Sequence, residues 1–301
     1  MVTIPSQTIP FNEQQLAARI KTGVRGQDAA ANAIAAEVTR RASSRPADRP
    51  IGVFLLAGPD RESKVGILNS LEETLQCGGA GYNLSGRWGQ EPDALFRSGV
   101  GGGLPDDATA TLVERLRAHP GAVVVLDAID KAHPEIVTRL QAAWRTGVLH
   151  DSGNEAVSIA GTTFLLLTDV AEEPIGQLAR GETDPDRLHI ACLRILLDAG
   201  FPASLLTSID RAFCLRRNTA GEQVRALYRW IVMQIEAHGF QVMPGGIDAR
   251  ILVEWMDPPV RQDAGEIEDH LLHLLEKAKA DGQAEFRVIF DNWESVAVLE
   301  D

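Results

Sequence analysis

Apolar residues along this chain gather in short unbroken runs, separated by stretches with a helical period. Ile51 to Ala57, Val123 to Leu126 and Thr162 to Thr168 are near-continuous apolar runs. Such runs suit strands buried on both faces, as in a parallel sheet. Between them the spacing changes to three and four. Asn12 is placed to cap a helix through about Lys21, with Leu16 and Ile20 on one face. Gly26-Gln27-Asp28 opens an Ala-rich helix to about Ala42. Helices are also predicted from about Ser63 to Gln76, from Asp107 to Ala118 and from Pro134 to Thr146, the last carrying Ile136, Leu140 and Trp144. Strands alternating with helices indicate a three-layer α/β domain around a parallel sheet.

The pattern changes after about Arg217. Helices are predicted from Ala220 to Ala237 and from Ala264 to Ala280. Glu285 to Phe290 and Trp293 to Leu299 then flank Asp291-Asn292, a two-residue turn of the hairpin type. The expected organisation is an extended lead-in over residues 1–11, a large α/β domain over 12–217 and a smaller α+β domain over 218–301.

Composition narrows the function. A net charge of −13 argues against a protein that tracks nucleic-acid phosphates. From Gln241 to Asp301 there are fourteen acidic against five basic residues, which reads as a solvated acidic face. Cys77, Cys192 and Cys214 are widely spaced, with no Cys-x-x-Cys pair. That fits a reducing cytoplasm without structural zinc. No apolar run approaches the ~18 residues of a membrane span, and no signal peptide is expected. His270 and His273 lie one turn apart without further ligands, so they read as helix-surface residues.

The chemistry is concentrated at the strand ends. The segment from Pro120 to Pro134 places Asp127 at the tip of a strand, followed by Ala128-Ile-Asp-Lys131. Gly58-Pro-Asp-Arg-Glu-Ser-Lys-Val65 follows the first strand. With Gly26-Gln27-Asp28, Arg49-Pro-Ile-Gly-Val-Phe-Leu-Leu-Ala57, Gly147-Val-Leu-His-Asp151 and Phe201-Pro-Ala-Ser-Leu-Leu206, these pieces resemble the Clp family of AAA+ ATPases. The order and spacing are most similar to the second ATPase module of ClpB and of ClpV, the ATPase of type VI secretion.

That resemblance implies a P-loop fold with a small lid domain, ATP and magnesium as ligands, and ring-forming protein partners. It also sets out what has changed. The family's loop is Gly-x4-Gly-Lys-Ser/Thr, whose amides cradle phosphate and whose hydroxyl holds magnesium. Here Lys64 is kept, Ser63 replaces the second glycine, Val65 replaces the hydroxyl, and Asp60 and Glu62 add two carboxylates. Ala128 stands where the family has its catalytic glutamate, Val170 where it has a water-positioning asparagine and Ser208 where it has an arginine finger. Gly265 stands where an arginine meets phosphate, and the glycine loop from Ser98 to Pro105 lacks the aromatic that grips substrate.

Gly26, Gln27, Gly58, Lys64 and Asp127 are therefore the nucleotide-binding candidates, with Asp127 a metal ligand only if magnesium-nucleotide binds. Each also has a structural reading as a cap, a turn or a strand tie. Lys64 in that reading is a surface or helix-start lysine. Three functions follow as expectations. The first is a catalytically silent module that binds other proteins, including an AAA+ ring or a secretion assembly, with no cofactor, nucleic acid or membrane. The second is a weak or partner-completed ATPase. The third is a sensor that holds ADP or ATP without turnover.

Overall fold

The computed structural model describes residues 12–24, 26–44, 48–75, 79–85, 91–97, 110–247, 252, 273, 275–277, 280 and 285–288. The chain divides into two compact units, Met1–Arg217 and Asn218–Asp301.

The first unit is built on five strands: β1 (Gly52–Ala57), β2 (Gly79–Asn83), β3 (Val123–Asp127), β6 (Thr163–Leu167) and β7 (Arg211–Cys214). They pair in the order β2-β3-β6-β1-β7, and every pairing is parallel. Two three-residue strands, β4 (Val148–His150) and β5 (Ala156–Ser158), form a separate antiparallel ribbon.

Alternate residues of the central strands serve two different cores. Val53, Leu55, Val124, Leu126, Phe164 and Leu166 point to one face. There they meet Ile136, Leu140 and Trp144 of helix Pro134–Thr146, with Ile175 and Leu196 of helices Glu172–Gly181 and Pro185–Asp198. Phe54, Leu56, Val125, Leu165 and Leu167 point to the other. Leu16 and Ile20 of α1 (Glu13–Gly23), Ile34 and Val38 of α2 (Asp28–Ser44) and Ile67 and Leu71 of α3 (Arg61–Leu75) cover that face. This is why the sequence shows unbroken apolar runs: neither face of the central strands β1, β3 and β6 meets water. The result is the three-layer α/β fold with a parallel sheet.

Local chemistry sets the helix ends. Asn12 with Gln15 and Thr111 with Glu114 make reciprocal capping boxes. The helix expected from Asp107 therefore starts at Leu112 among the described residues, because Thr111 satisfies its first free amides. Asp184 caps the helix of Pro185 through the amides of Asp186 and Arg187. That helix and Glu172–Gly181, like β2 and β7, are elements the sequence pattern did not reveal. Gly147 ends the helix of Trp144 at φ 77°, and a Cβ there would lie 1.7 Å from the Asp48 carbonyl oxygen.

His189 carries a pH signature. Its Nδ1 accepts from the Ala212 amide at 3.0 Å, so that nitrogen holds no proton. Burial, with a contribution from the Arg211 charge, holds the imidazole below its ordinary 6.5, although Asp186, Glu37 and Asp210 act against this. The unfolded chain then takes up a proton that the folded one refuses. Stability is complete above the ordinary value and declines as pH falls through it toward the folded value. Urea unfolding between pH 8 and 5.5 checks this: the acid-side decline is shallower in His189→Asn.

The second unit holds a helix, Ala220–Ala237, capped by Thr219 with Glu222, and a parallel pair, β8 (Gln241–Ile247) with β9 (Glu285–Val288). Ile231 and Ile235 of the helix are buried. Residues 273, 275–277 and 280 are helical within the predicted Ala264–Ala280 segment. The lead-in over 1–11, the Ser98–Pro105 loop, Cys77, Gly265 and the Asp291-Asn292 turn lie outside the described residues. No helix among the described residues is long and apolar enough to cross a membrane.

Candidate functional site

All five sheet strands run the same way, so their C-terminal ends share one edge. Asp127 ends β3 there, Gly58 and Thr168 directly follow β1 and β6, and helix α3 starts beside them. Crevices at such edges are where α/β sheets hold ligands. Here the polar groups of the crevice are engaged with one another.

Asp60 caps α3. Its Oδ1 accepts the Ser63 amide at 3.0 Å, and its Oδ2 accepts the Ser63 hydroxyl at 2.7 Å. The carboxylate also suits the positive end of the helix dipole, so it occupies the position that a bound anion would favour. Gln27 reaches the same Oδ2 through Nε2 at 3.0 Å. The other Nε2 proton goes to the Arg216 carbonyl at 2.5 Å, and Arg216 Nη2 donates to the Gly26 carbonyl at 3.4 Å. Gln27 is thus buried as a tie between the start of α2, the loop and the end of β7.

Gly58 sits at φ 118°, where a Cβ would lie 2.0 Å from the Leu215 carbonyl oxygen. Leu215 in turn donates its amide to the Ala57 carbonyl at 2.8 Å. The close strand passage and the left-handed φ both require a glycine here.

Two cations complete the crevice. Arg61 Nη2 lies 3.2 Å from Asp127 Oδ2, while Asp127 Oδ1 accepts the Ala128 amide at 2.9 Å. Both Asp127 oxygens are therefore engaged. Lys64 is only 2% exposed. Its Nζ donates to the Thr168 carbonyl at 2.8 Å and pairs with Asp169 at 3.2 Å and Glu172 at 3.5 Å. Lys64 is a helix-start lysine, the fourth residue of α3, but the reading of it as a surface residue is corrected here. Its side chain turns inward, because a buried carbonyl and two carboxylates converge on its ammonium. The Thr168 hydroxyl donates to Asp130 at 2.7 Å and accepts the Val170 amide at 3.1 Å. Asp130 thus ties the turn after β3 to the end of β6.

No protein-family profile matches the chain. Individual relatives do. Chaperone protein ClpB 2 of Thermosynechococcus vestitus is 30% identical over 218 residues, which is 69% of this chain and 24% of that protein. AAA+ ATPase ClpV1 of Pseudomonas aeruginosa is 31% identical over 193 residues, 62% of this chain and 21% of that protein. The chloroplastic chaperone protein ClpD2 of Oryza sativa is 28% identical over 224 residues, 69% and 24%. The chain belongs to the Clp family of AAA+ ATPases. It spans about a quarter of the length of these Clp proteins.

Within this Clp-family module the candidate residues separate into two places. Gly26, Gln27, Gly58, Lys64 and Asp127 do converge on the crevice. Ala128 and Val170 adjoin it at the ends of β3 and β6. Ala128 is buried and left-handed, with φ 54°. That conformation costs a non-glycine residue about 1 kcal/mol. Val170 packs partly against the core of helices Glu172–Gly181 and Pro185–Asp198. Val65 is exposed on α3.

Ser208 lies at the opposite edge, just before β7, and accepts from Gln141 Nε2 at 3.0 Å. Arg211, three residues after Ser208, pairs with Asp186 at 2.7 Å. Gly265 lies outside the described residues. Sequence reading missed the partners of this site: Arg61, Asp130, Asp169, Glu172 and Arg216. Their charge in a loop or at a strand end was the available signal.

Proposed function

We propose that this Clp-type module does not turn over ATP and acts by binding other proteins, as a scaffold or regulatory subunit. An active Clp-type or secretion ATPase ring is the partner the family relationship suggests. The observation that carries the reading is the pairing of Arg61 with Asp127. A guanidinium occupies the carboxylate that would otherwise face magnesium.

The rest of the crevice supports it. The residues present do not fit a magnesium-nucleotide. Val65 brings no hydroxyl for the metal. The carboxylate of Asp60 occupies the helix start, and the ammonium of Lys64 is already shared among three oxygens. Asp60, Asp127, Asp130, Asp169 and Glu172 outnumber Arg61, Lys64 and Arg216, so an incoming polyphosphate meets net negative charge. A like-charge contact partly shielded from water costs on the order of 1 kcal/mol or more. Even a bound nucleotide would meet a methyl group at Ala128, where loss of a general base alone removes about 10²-fold or more in rate.

The test is titration of pure protein with magnesium-ATP by calorimetry, alongside phosphate release. The expected result is no saturable heat in the micromolar range and no release above a Lys64→Ala control. Low-micromolar affinity without turnover would replace this reading by the nucleotide sensor. Turnover that appears only with a recovered partner ring would replace it by the partner-completed ATPase. Affinity capture from the native host, followed by native mass measurement, identifies that partner.

A further inference from the structure

At the other end of the sheet, where β1 and β7 begin, a cleft of about 700 Å³ opens between α2, the segment before β1 and the helix of Trp144. Four arginines line it, Arg40, Arg41, Arg49 and Arg145, against the single carboxylate of Asp210. In a chain of net charge −13 this is a local inversion of sign.

The carboxylate is already neutralised. Asp210 Oδ1 lies 3.0 Å from Arg41 Nη1, and its Oδ2 accepts the Val53 amide at 2.8 Å. Behind the cleft, Glu37 holds Arg41 at 2.5 Å and Arg40 at 2.7 Å. Arg49 and Arg145 differ. Among the described residues neither has a carboxylate partner, and the Arg145 side chain donates only to the Gln141 carbonyl at 3.3 Å. The indole N–H of Trp144, whose residue also lines the cleft, is buried with no hydrogen-bond partner among the described residues. Two guanidinium groups without a carboxylate partner among the described residues therefore line one cavity.

We propose that this cleft is a binding site for a compact oligophosphate anion, held by Arg49 and Arg145. The volume falls in the range of small-molecule pockets, about 300–1,000 Å³. The planar guanidinium presents paired N–H donors that match phosphate oxygens two at a time. An acidic protein segment would use the same charge, but it favours an extended basic surface rather than one concave cluster.

The experiment titrates the whole chain with sodium tripolyphosphate, by calorimetry and by tryptophan fluorescence. Saturable one-to-one binding is expected. It weakens roughly tenfold or more in Arg49→Ala and in Arg145→Ala, because each loses a charge-assisted bidentate contact. Arg49→Lys falls between, since it keeps the charge and loses the fork. Both side chains are exposed, so the variants keep the parent melting temperature. Lys64→Met, in the crevice at the other sheet edge, leaves the affinity unchanged. Three outcomes would overturn the proposal: no saturation, equal binding by the Arg49→Ala/Arg145→Ala double variant, or loss of binding in Lys64→Met instead. Tighter binding of a hexaglutamate peptide than of tripolyphosphate would also overturn it, in favour of an acidic protein segment.

Discussion

Ala128→Glu alone leaves ATP hydrolysis at background, whereas the same change combined with a rebuilt loop restores magnesium-ATP binding. The rebuilt loop carries Asp60→Thr, Arg61→Gly, Glu62→Val, Ser63→Gly and Val65→Thr. In the proposed silent reading, the single change adds a base to a crevice that binds no nucleotide. The combined change acts on the contacts that close the crevice. Arg61→Gly releases Asp127 from its 3.2 Å partner. Asp60→Thr removes a carboxylate from the helix start and keeps a residue able to cap it, so α3 loses little. Ser63→Gly clears a side chain from the turn, and Val65→Thr supplies a hydroxyl. Ala128 already holds a left-handed backbone with its Cβ in place, so glutamate adds no new backbone strain.

The affinity gained should be about a hundredfold, from one relieved like-charge contact and one regained charge-assisted bond at about 1.4 kcal/mol per tenfold. Calorimetry of the single and combined variants gives the comparison. Turnover still lags, because Ser208 brings no guanidinium and sits at the far sheet edge. Activity in Ala128→Glu alone would mean that the wild-type loop already holds nucleotide, and the silent reading would fail.

The sheet was legible because β1, β3 and β6 are buried on both faces, which leaves an unbroken apolar signature. β2 was not, because three of the five residues of Gly79-Ala-Gly-Tyr-Asn83 are glycine or asparagine. β7 has only four residues, and β4 and β5 have three each, too short for any period. The helix Pro185–Asp198 exposes Ile190 and Leu197 on its outer side, which blurs its apolar stripe.

At the site, residue types were legible and partners were not. Arg61 and Asp127 are 66 residues apart, and Lys64 and Thr168 are 104. Only the parallel register of β1, β6 and β3 brings them together. Gly58 shows the same limit. Its motif position suggested phosphate, but the atom that excludes a Cβ is the Leu215 carbonyl oxygen, from the far end of the domain.

Lys64→Met is expected to destabilise the nucleotide-free protein by about 2 kcal/mol. If the lysine were held in reserve for phosphate, its removal would cost the empty fold little. Instead its ammonium satisfies the carbonyl of Thr168, a residue with no exposed surface. Leaving a buried acceptor without a donor costs about 1–3 kcal/mol. Asp169 and Glu172 add less. Their side chains are 49% and 35% exposed, so water screens them and takes over their solvation once the lysine is gone. The loss therefore stays below the ~3–5 kcal/mol of a fully buried broken pair. Methionine keeps most of the volume of the stem, which separates the lost hydrogen bond from a cavity. Asp169→Asn provides the contrast, with an expected cost below about 1 kcal/mol, since it touches only the exposed side of the network. Urea unfolding of the three proteins without nucleotide measures both. Equal stability of Lys64→Met and the parent would show that the ammonium is not needed by the fold, and the self-satisfied crevice would no longer support the proposal that this module does not use ATP.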